Sequence, residues 1–422
     1  MLAGPVNVPP AVAAKSFVPT PEPTLRELAF VTANFPSRAH PNHGTFVRQL
    51  VDAVAGQGVQ CTVVHPLRLQ DRLREGRRDL RAGSGVGERV KVYRPLTLSL
   101  SNRQIGPLNT FSLTHRAFQG AVWRVLGRLE RRPDAVYGHF LYSAGAAAIW
   151  GAQRLGRPGF VAVGESFSQG EARLWTLRAV NPEQAKRDFA GATGFVAVSK
   201  LLRRQLMTQL CVEEARIGVF PNGVDRTRFC PRDRGEMRRK HGLPSDRFLV
   251  AFVGAFDARK GIERVTQALT GLPDAAGIFV GDGPFRPPAE QAVFCGRVPH
   301  AQVAELLCAA DVFVLPSRAE GSSNASLEAM ACGLPVVVSD AEFNEDLFRT
   351  EVGIRIPPDD VGALRQAIAR LRDNATLREA CGRQALARAR TFDIHERARG
   401  ILNWMDRLRA QQRARPSASR GP

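Results

Sequence analysis

Apolar residues fall in short runs separated by polar loops rich in glycine and proline. Runs at 28–32 (LAFVT), 61–64, 135–137, 160–163 and 195–198 read as buried strands. Between the first two, 34–44 is a polar loop, and 45–54 reads as a helix with Phe46, Leu50 and Val54 on one face. Ser199 stands where a helix N-cap belongs, ahead of a basic amphipathic segment. The run 217–220 ends at Pro221-Asn222-Gly223, a sharp turn signal. The pattern then restarts. Strands are predicted at 248–253, 277–280, 293–295, 311–315 and 335–339, with helices opening at Lys260-Gly261 and over 323–332. Strands alternating with helices predict an α/β protein of two doubly wound, Rossmann-like domains, residues 24–212 and 213–391, with a linker near 212–224. Their cleft would lie at the carboxyl ends of both sheets.

The flanks differ in character. Residues 1–23 hold six prolines and no early basic cluster, which predicts a disordered leader and not a signal peptide. Residues 408–422 read as a basic disordered tail. The 422 residues are 44% apolar and 23% charged, which excludes wholesale disorder. The longest nearly apolar stretch, 143–152, is too short to cross a bilayer as a helix. Seven cysteines without a C-x-x-C pair argue for reduced thiols over a disulfide framework or a zinc site.

Charge adds a second theme. The formal net charge is +19, and residues 66–132 alone carry 15 Lys and Arg against 5 Asp and Glu. Arg72, Arg74, Arg77, Arg78 and Arg81 alternate with Leu69, Leu73 and Leu80. Such a stretch suits an anionic membrane surface or an anionic substrate, and equally a solvated basic face. Aromatic residues do not alternate with the arginines, so nucleic acid is not the expected partner.

The most informative segment is 316–340, PSRAEGSSNASLEAMACGLPVVVSD. Glu320 lies in a loop after a strand, Ser322 or Ser323 can cap the next helix, and Glu328 lies on that helix. The first amides of this helix, near Asn324, Ala325 and Ser326, would present the positive end of its dipole to an anion. A Lys that follows a strand and precedes a glycine, as Lys260 does, can neutralise a diphosphate. Gly44, lacking a Cβ, would let the first loop approach a ligand closely, or simply make a turn. No D-x-D sequence and no metal-spaced His, Cys or Asp cluster occurs.

The 316–340 segment resembles the signature of the family-4 retaining glycosyltransferases, which use nucleotide-sugar donors on the two-domain GT-B architecture. Further matches follow in the family's order: Asn34-Phe35-Pro36 with Gly44-Thr45-Phe46, the stretch from Pro133-Asp134 to His139, Val198-Ser199, Pro221-Asn222-Gly223-Val224-Asp225, Phe252-Val253-Gly254 with Lys260-Gly261, and Gly281-Asp282-Gly283-Pro284. Phe392-Asp393 with Arg397-Ala398 resembles the family's closing helix, expected over 392–407, which crosses back to the first domain. The resemblance spans residues 26–405.

This resemblance implies that Lys260 and the helix amides stabilise a leaving nucleoside diphosphate, that Glu328 accepts from the ribose hydroxyls, that Glu320 reaches the sugar, and that Gly254 lies against the phosphates. Two departures stand out. Ala255 occupies the place of a frequent Arg, which Arg259 would replace or else point to solvent. Gly164-Glu165-Ser166 stands where a His-Gly pair commonly contacts the sugar, leaving Glu165 or Ser166 in that role. His139 is a sugar-side candidate or a core histidine. The reaction implied is metal-independent sugar transfer with retention, without a cofactor. The acceptor would be a saccharide or polyprenyl-linked saccharide at the cytoplasmic face of a membrane, in cell-surface polysaccharide or glycoconjugate synthesis. Neither the donor nucleotide, uridine or guanosine diphosphate, nor the sugar is distinguished. The alternative is a non-catalytic GT-B scaffold or a nucleotide-sugar-binding partner protein.

Overall fold

A computed structural model describes residues 23–38, 40–75, 87–99, 104–105, 108–164 and 182–414. The expected leader therefore lies almost entirely outside the described residues, as do Arg77, Arg78, Leu80 and Arg81.

Two parallel sheets form the molecule. The first holds seven strands: β1 (Glu27–Thr32), β2 (Gln60–Val64), β3 (Val90–Tyr93), β4 (Ala135–His139), β5 (Gly159–Val163), β6 (Gly194–Ala197) and β7 (Ile217–Val219). Their spatial order is β7-β6-β5-β4-β1-β2-β3. The second holds β8 (Phe248–Ala255), β9 (Ala275–Asp282), β10 (Ala292–Gly296), β11 (Val312–Leu315), β12 (Val336–Ser339) and β13 (Gly353–Ile356), in the order β10-β9-β8-β11-β12-β13. Every pairing within both sheets is parallel. β4, β5 and β6 are buried along their whole length, the pattern expected where helices cover both faces.

The expected two doubly wound domains are present, with one shift. β7 completes the first sheet through Phe195↔Ile217 and Ala197↔Val219. The first domain therefore extends to Val219, beyond the expected boundary at 212. Cys211 and Val212 only end a helix, and the following strand returns to the sheet it left. The crossing between domains is residues 221–225.

Each sheet reverses its winding beside its central strand. In the first sheet β1 lies between β4 and β2; in the second β8 lies between β11 and β9. Loops leaving these strands diverge to opposite faces and open a crevice at the carboxyl edge. β1 feeds the loop that ends at Gly44 and opens α1 (Thr45–Gly56). β8 feeds the loop before α2 (Ile262–Thr270), and β11 feeds the loop before α3 (Asn324–Ala331).

The last helix, α4 (Ile394–Ala414), continues past the expected end at 407, so residues 408–414 are helical and not tail. Its apolar face, Ile394, Ala398, Ile401, Leu402 and Met405, is buried with Leu28, Phe30 and Val47 in the first domain's core. Trp404 lies 5.8 Å from Phe160 and 5.9 Å from Phe220 between ring centroids. Asp406 accepts from the Thr24 amide at 2.6 Å, tying the helix to the chain ahead of β1. The chain thus crosses between domains twice, and the crossings lie side by side. Val224 N donates to Phe392 O at 2.8 Å, and Ile394 N donates to Val224 O at 3.2 Å.

Candidate active site

Between the carboxyl edges of the two sheets lies a cavity of about 1070 Å³. Its second-domain wall holds Gly254, Lys260, Glu320, Ser322, Ser323, Asn324, Ala325 and Glu328, eight of the residues singled out from the sequence.

Parallel pairing explains why two of them meet. β8 and β11 are neighbours in register Val250↔Val312, so the loops after them emerge together. Lys260 Nζ then lies 2.5 Å from Glu320 Oε1. Ser317 Oγ donates to the same oxygen at 2.7 Å, and Ser339 Oγ anchors the turn by donating to Ser317 O at 2.5 Å. Gly261, at φ +83°, allows the chain to turn from Lys260 into α2; a Cβ there would come within 2.8 Å of Pro316 O.

Ser323 is the N-cap of α3: its Oγ accepts from the Ser326 amide at 3.2 Å, and its carbonyl accepts from Leu327 N at 3.2 Å. Asn324 and Ala325, the first two residues of the same helix, line the cavity wall. Ser322 does different work. Asn222 N donates to its Oγ at 3.3 Å and Asn222 Nδ2 to its carbonyl at 3.0 Å, which ties the first interdomain crossing to the cap of α3. Ser326 is fully buried and bonds Ser323 Oγ; it does not line the cavity.

Arg259 does not line the cavity either. Its Nη1 donates to Ala319 O at 3.1 Å and lies 4.0 Å from Glu320 Oε1, so it braces the loop that carries Glu320. Gly44, at φ +71°, sits so close to Asn34 that a Cβ would fall 2.3 Å from the Asn34 oxygen. Its neighbours His43 and Thr45 face the cavity. Glu165 and Ser166 lie outside the described residues.

His139 ends β4 but is buried away from the cavity, stacked edge-on to Tyr137 at 4.5 Å. Burial, with Arg397 nearby, pushes its pKa down to about 3. The ring is a core group in this structure. Burial acts the same way on His65, also to about 3, although His65 borders the cavity.

Sequence reasoning missed several cavity residues. His40 lies 3.3 Å from Asp71 on the first-domain side, and Phe46, read from the sequence only as part of a helix face and a motif, lines the cavity and stacks on Phe140 at 5.7 Å. On the opposite wall His300 Nε2 lies 2.9 Å from Glu328 Oε1. The V-P-H sequence at the head of its helix, with the histidine directly after a proline N-cap, was the available signal. Among the described residues no group of three or more His, Cys, Asp or Glu is placed to hold a metal ion.

Comparison with known proteins gives the arrangement its context. The family profile "Glycosyltransferase Family 4" matches residues 43–228, and "Glycosyl transferases group 1" matches residues 233–388. The chain is 28% identical over 363 residues to the Bacillus subtilis protein described as a teichuronic acid biosynthesis glycosyltransferase, TuaC, across 82% of this chain and 88% of that one. Sucrose-phosphate synthase from Thermosynechococcus elongatus superposes with a TM-score of 0.68 at 20% identity, covering 92% of this chain and all of that one. HepE from Anabaena, solved with UDP-glucose, superposes with a TM-score of 0.66 at 16% identity over 92% of this chain and 100% of its own.

Proposed function

The chain belongs to the family-4 glycosyltransferases and has their GT-B fold, and on that premise we propose that it moves a sugar, with retention and without a metal ion, from a nucleotide-sugar donor to a saccharide or lipid-linked saccharide in cell-surface polysaccharide synthesis. One observation carries this reading. Lys260, Glu320, Glu328 and the amino end of α3 converge on one wall of the interdomain cavity. TuaC, named for teichuronic acid biosynthesis, supports the polysaccharide assignment.

In this reading the donor diphosphate lies between Lys260 and the Asn324 and Ala325 amides, with Gly254 beside it. As the C1–O bond lengthens, negative charge accumulates on the diphosphate. Lysine and the helix end face that charge without needing to reorganise. Glu328 accepts from the ribose hydroxyls. Glu320, held by Lys260 and Ser317, accepts from the sugar. The acceptor enters from the first domain and attacks from the face the diphosphate leaves. Closure of the two domains keeps water out and limits donor hydrolysis.

The acceptor side favours a membrane-bound substrate. Five of the six exposed large apolar side chains among the described residues, Leu69, Leu73, Leu96, Leu98 and Leu113, cluster on first-domain elements that pack together, in the most basic stretch of the chain. Leu98 also lines the cavity. Exposed apolar residues interspersed along the chain with Arg68, Arg72 and Arg74 suit the interface of an anionic bilayer, which would bring a lipid-linked acceptor to the cavity mouth.

Thermal stabilisation by UDP and by GDP, with and without EDTA, tests the donor assignment. A ligand at one hundred times its Kd adds about 2.7 kcal/mol of stability. One nucleotide should raise Tm, EDTA should not matter, and Lys260→Ala should abolish the shift. If no nucleoside diphosphate shifts Tm, the catalytic reading gives way to a scaffold.

A further inference from the structure

The hydrogen bonds around Glu328 run on to two residues that the proposed reaction does not itself employ, and we infer that His300, oriented by Arg228, is the positioning residue that fixes the Glu328 carboxylate for recognition of a donor ribose. The inference rests on the assignment of Glu328 to the ribose.

His300 is the first residue of a helix, His300–Ala309, behind Pro299. Its ring packs edge-on against the fully buried Phe229 at 5.1 Å. Arg228 Nη1 lies 3.1 Å from His300 Nδ1. A guanidinium offers only donors, so Nδ1 is the acceptor and the ring proton sits on Nε2. That nitrogen, 2.9 Å from Glu328 Oε1, therefore donates to the carboxylate. Glu328 Oε1 is thereby committed, the side chain is held to one rotamer, and Oε2 remains for a ribose hydroxyl. Without His300 the carboxylate would have to be ordered at the moment of binding, which costs affinity.

Arg228 is itself set by local structure. Arg228 N and Phe229 N both donate to Asp225 O, at 3.2 and 2.9 Å, and Arg232 Nη2 donates to Arg228 O at 3.2 Å. Asp225 in turn caps its own turn through Thr227 N at 3.0 Å and Thr227 Oγ1 at 2.6 Å. The turn that follows the first interdomain crossing thus delivers the group that sets the imidazole tautomer.

The experiment compares the affinity of UDP with that of 2′,3′-dideoxy-UDP, or the guanosine pair if GDP is the nucleotide that stabilises the protein, for four proteins. Wild type should favour the ribose form. Glu328→Gln should lose most of that preference. His300→Ala should lose roughly tenfold of it, the size of one charge-assisted hydrogen bond, while its affinity for the dideoxy ligand stays at the wild-type value. His300→Gln, whose amide nitrogen can take the place of Nε2, should retain most of it. If His300→Ala keeps the full preference while Glu328→Gln loses it, the positioning role is overturned and the ribose assignment stands. If Glu328→Gln also keeps it, the ribose assignment fails and this inference with it. If His300→Ala weakens both ligands equally, the residue is structural only and the inference is wrong.

Discussion

Gly321 and Gly164 meet across the domain junction so closely that a Cβ on Gly321 would lie 1.9 Å from the Gly164 oxygen. Gly321 belongs to the second domain, one residue past Glu320; Gly164 follows β5 of the first. No side chain fits between them, so Gly321→Ala should hold the domains apart. Small-angle scattering should show a larger radius of gyration, and kcat should fall. An unchanged kcat would mean that the contact does not form during turnover.

Lys260→Ala removes the cation that meets Glu320 and would face a departing diphosphate. Removing one preorganised donor of this kind typically costs about 3–4 kcal/mol, or roughly 10²–10³ in kcat. Steady-state kinetics on any active donor pair reads this directly. Arg259→Ala, which removes the brace on Ala319 O and a guanidinium 4.0 Å from Glu320 Oε1 without touching the cavity, should cost less than tenfold.

Gly44→Ala places a side chain at φ +71° and against Asn34 O. Left-handed backbone costs roughly 1–2 kcal/mol for a residue with a Cβ, and the clash adds to it. Chemical denaturation should show a loss of at least that size. The loop carrying His43 and Thr45 into the cavity should shift as well, raising the KM for substrate.

Buried histidines predict acid sensitivity. His139 and His65 have folded-state pKa values pushed down to about 3 from an ordinary 6.5. The unfolded chain takes up these protons below pH 6.5 and the folded chain does not, so stability is fully present above that pH and falls as pH drops toward 3. Each histidine contributes a slope of up to about 1.4 kcal/mol per pH unit. His139→Phe, packed among Phe30, Tyr137 and Phe140, should flatten the curve by one histidine's share in urea unfolding at pH 7 and pH 5.

Leu73→Ser with Leu98→Ser should weaken co-sedimentation with anionic vesicles, and raised salt should weaken it in the unmutated protein as well. These side chains are 76% and 67% exposed, so Tm should barely move. Equal binding to neutral vesicles would contradict the charge argument.

Much of this architecture was legible because fully buried parallel strands leave uninterrupted apolar runs. β4, β5, β11 and β12 all announce themselves that way. β3 did not: Val90 and Val92 are buried, but Lys91 between them faces outward on an edge strand. The Lys260 to Glu328 wall could be read because strand-loop-helix order forces those residues to one sheet edge. The first-domain wall could not. His40 and Asp71 come together through a fold that no local spacing records, and His300 pairs with Glu328 from a different helix. His139 could be read either way from the sequence, because the end of β4 admits a cavity-facing or a core ring, and the structure turns the ring into the core.

The twin crossings at Val224 and Asp393 have a mechanical meaning. Two adjacent segments, bonded backbone to backbone in one parallel bridge, resist torsion between the domains better than a single tether would. A protease that nicks one crossing would leave a single particle, because α4 stays embedded in the first domain's core while the intact crossing still bears the second.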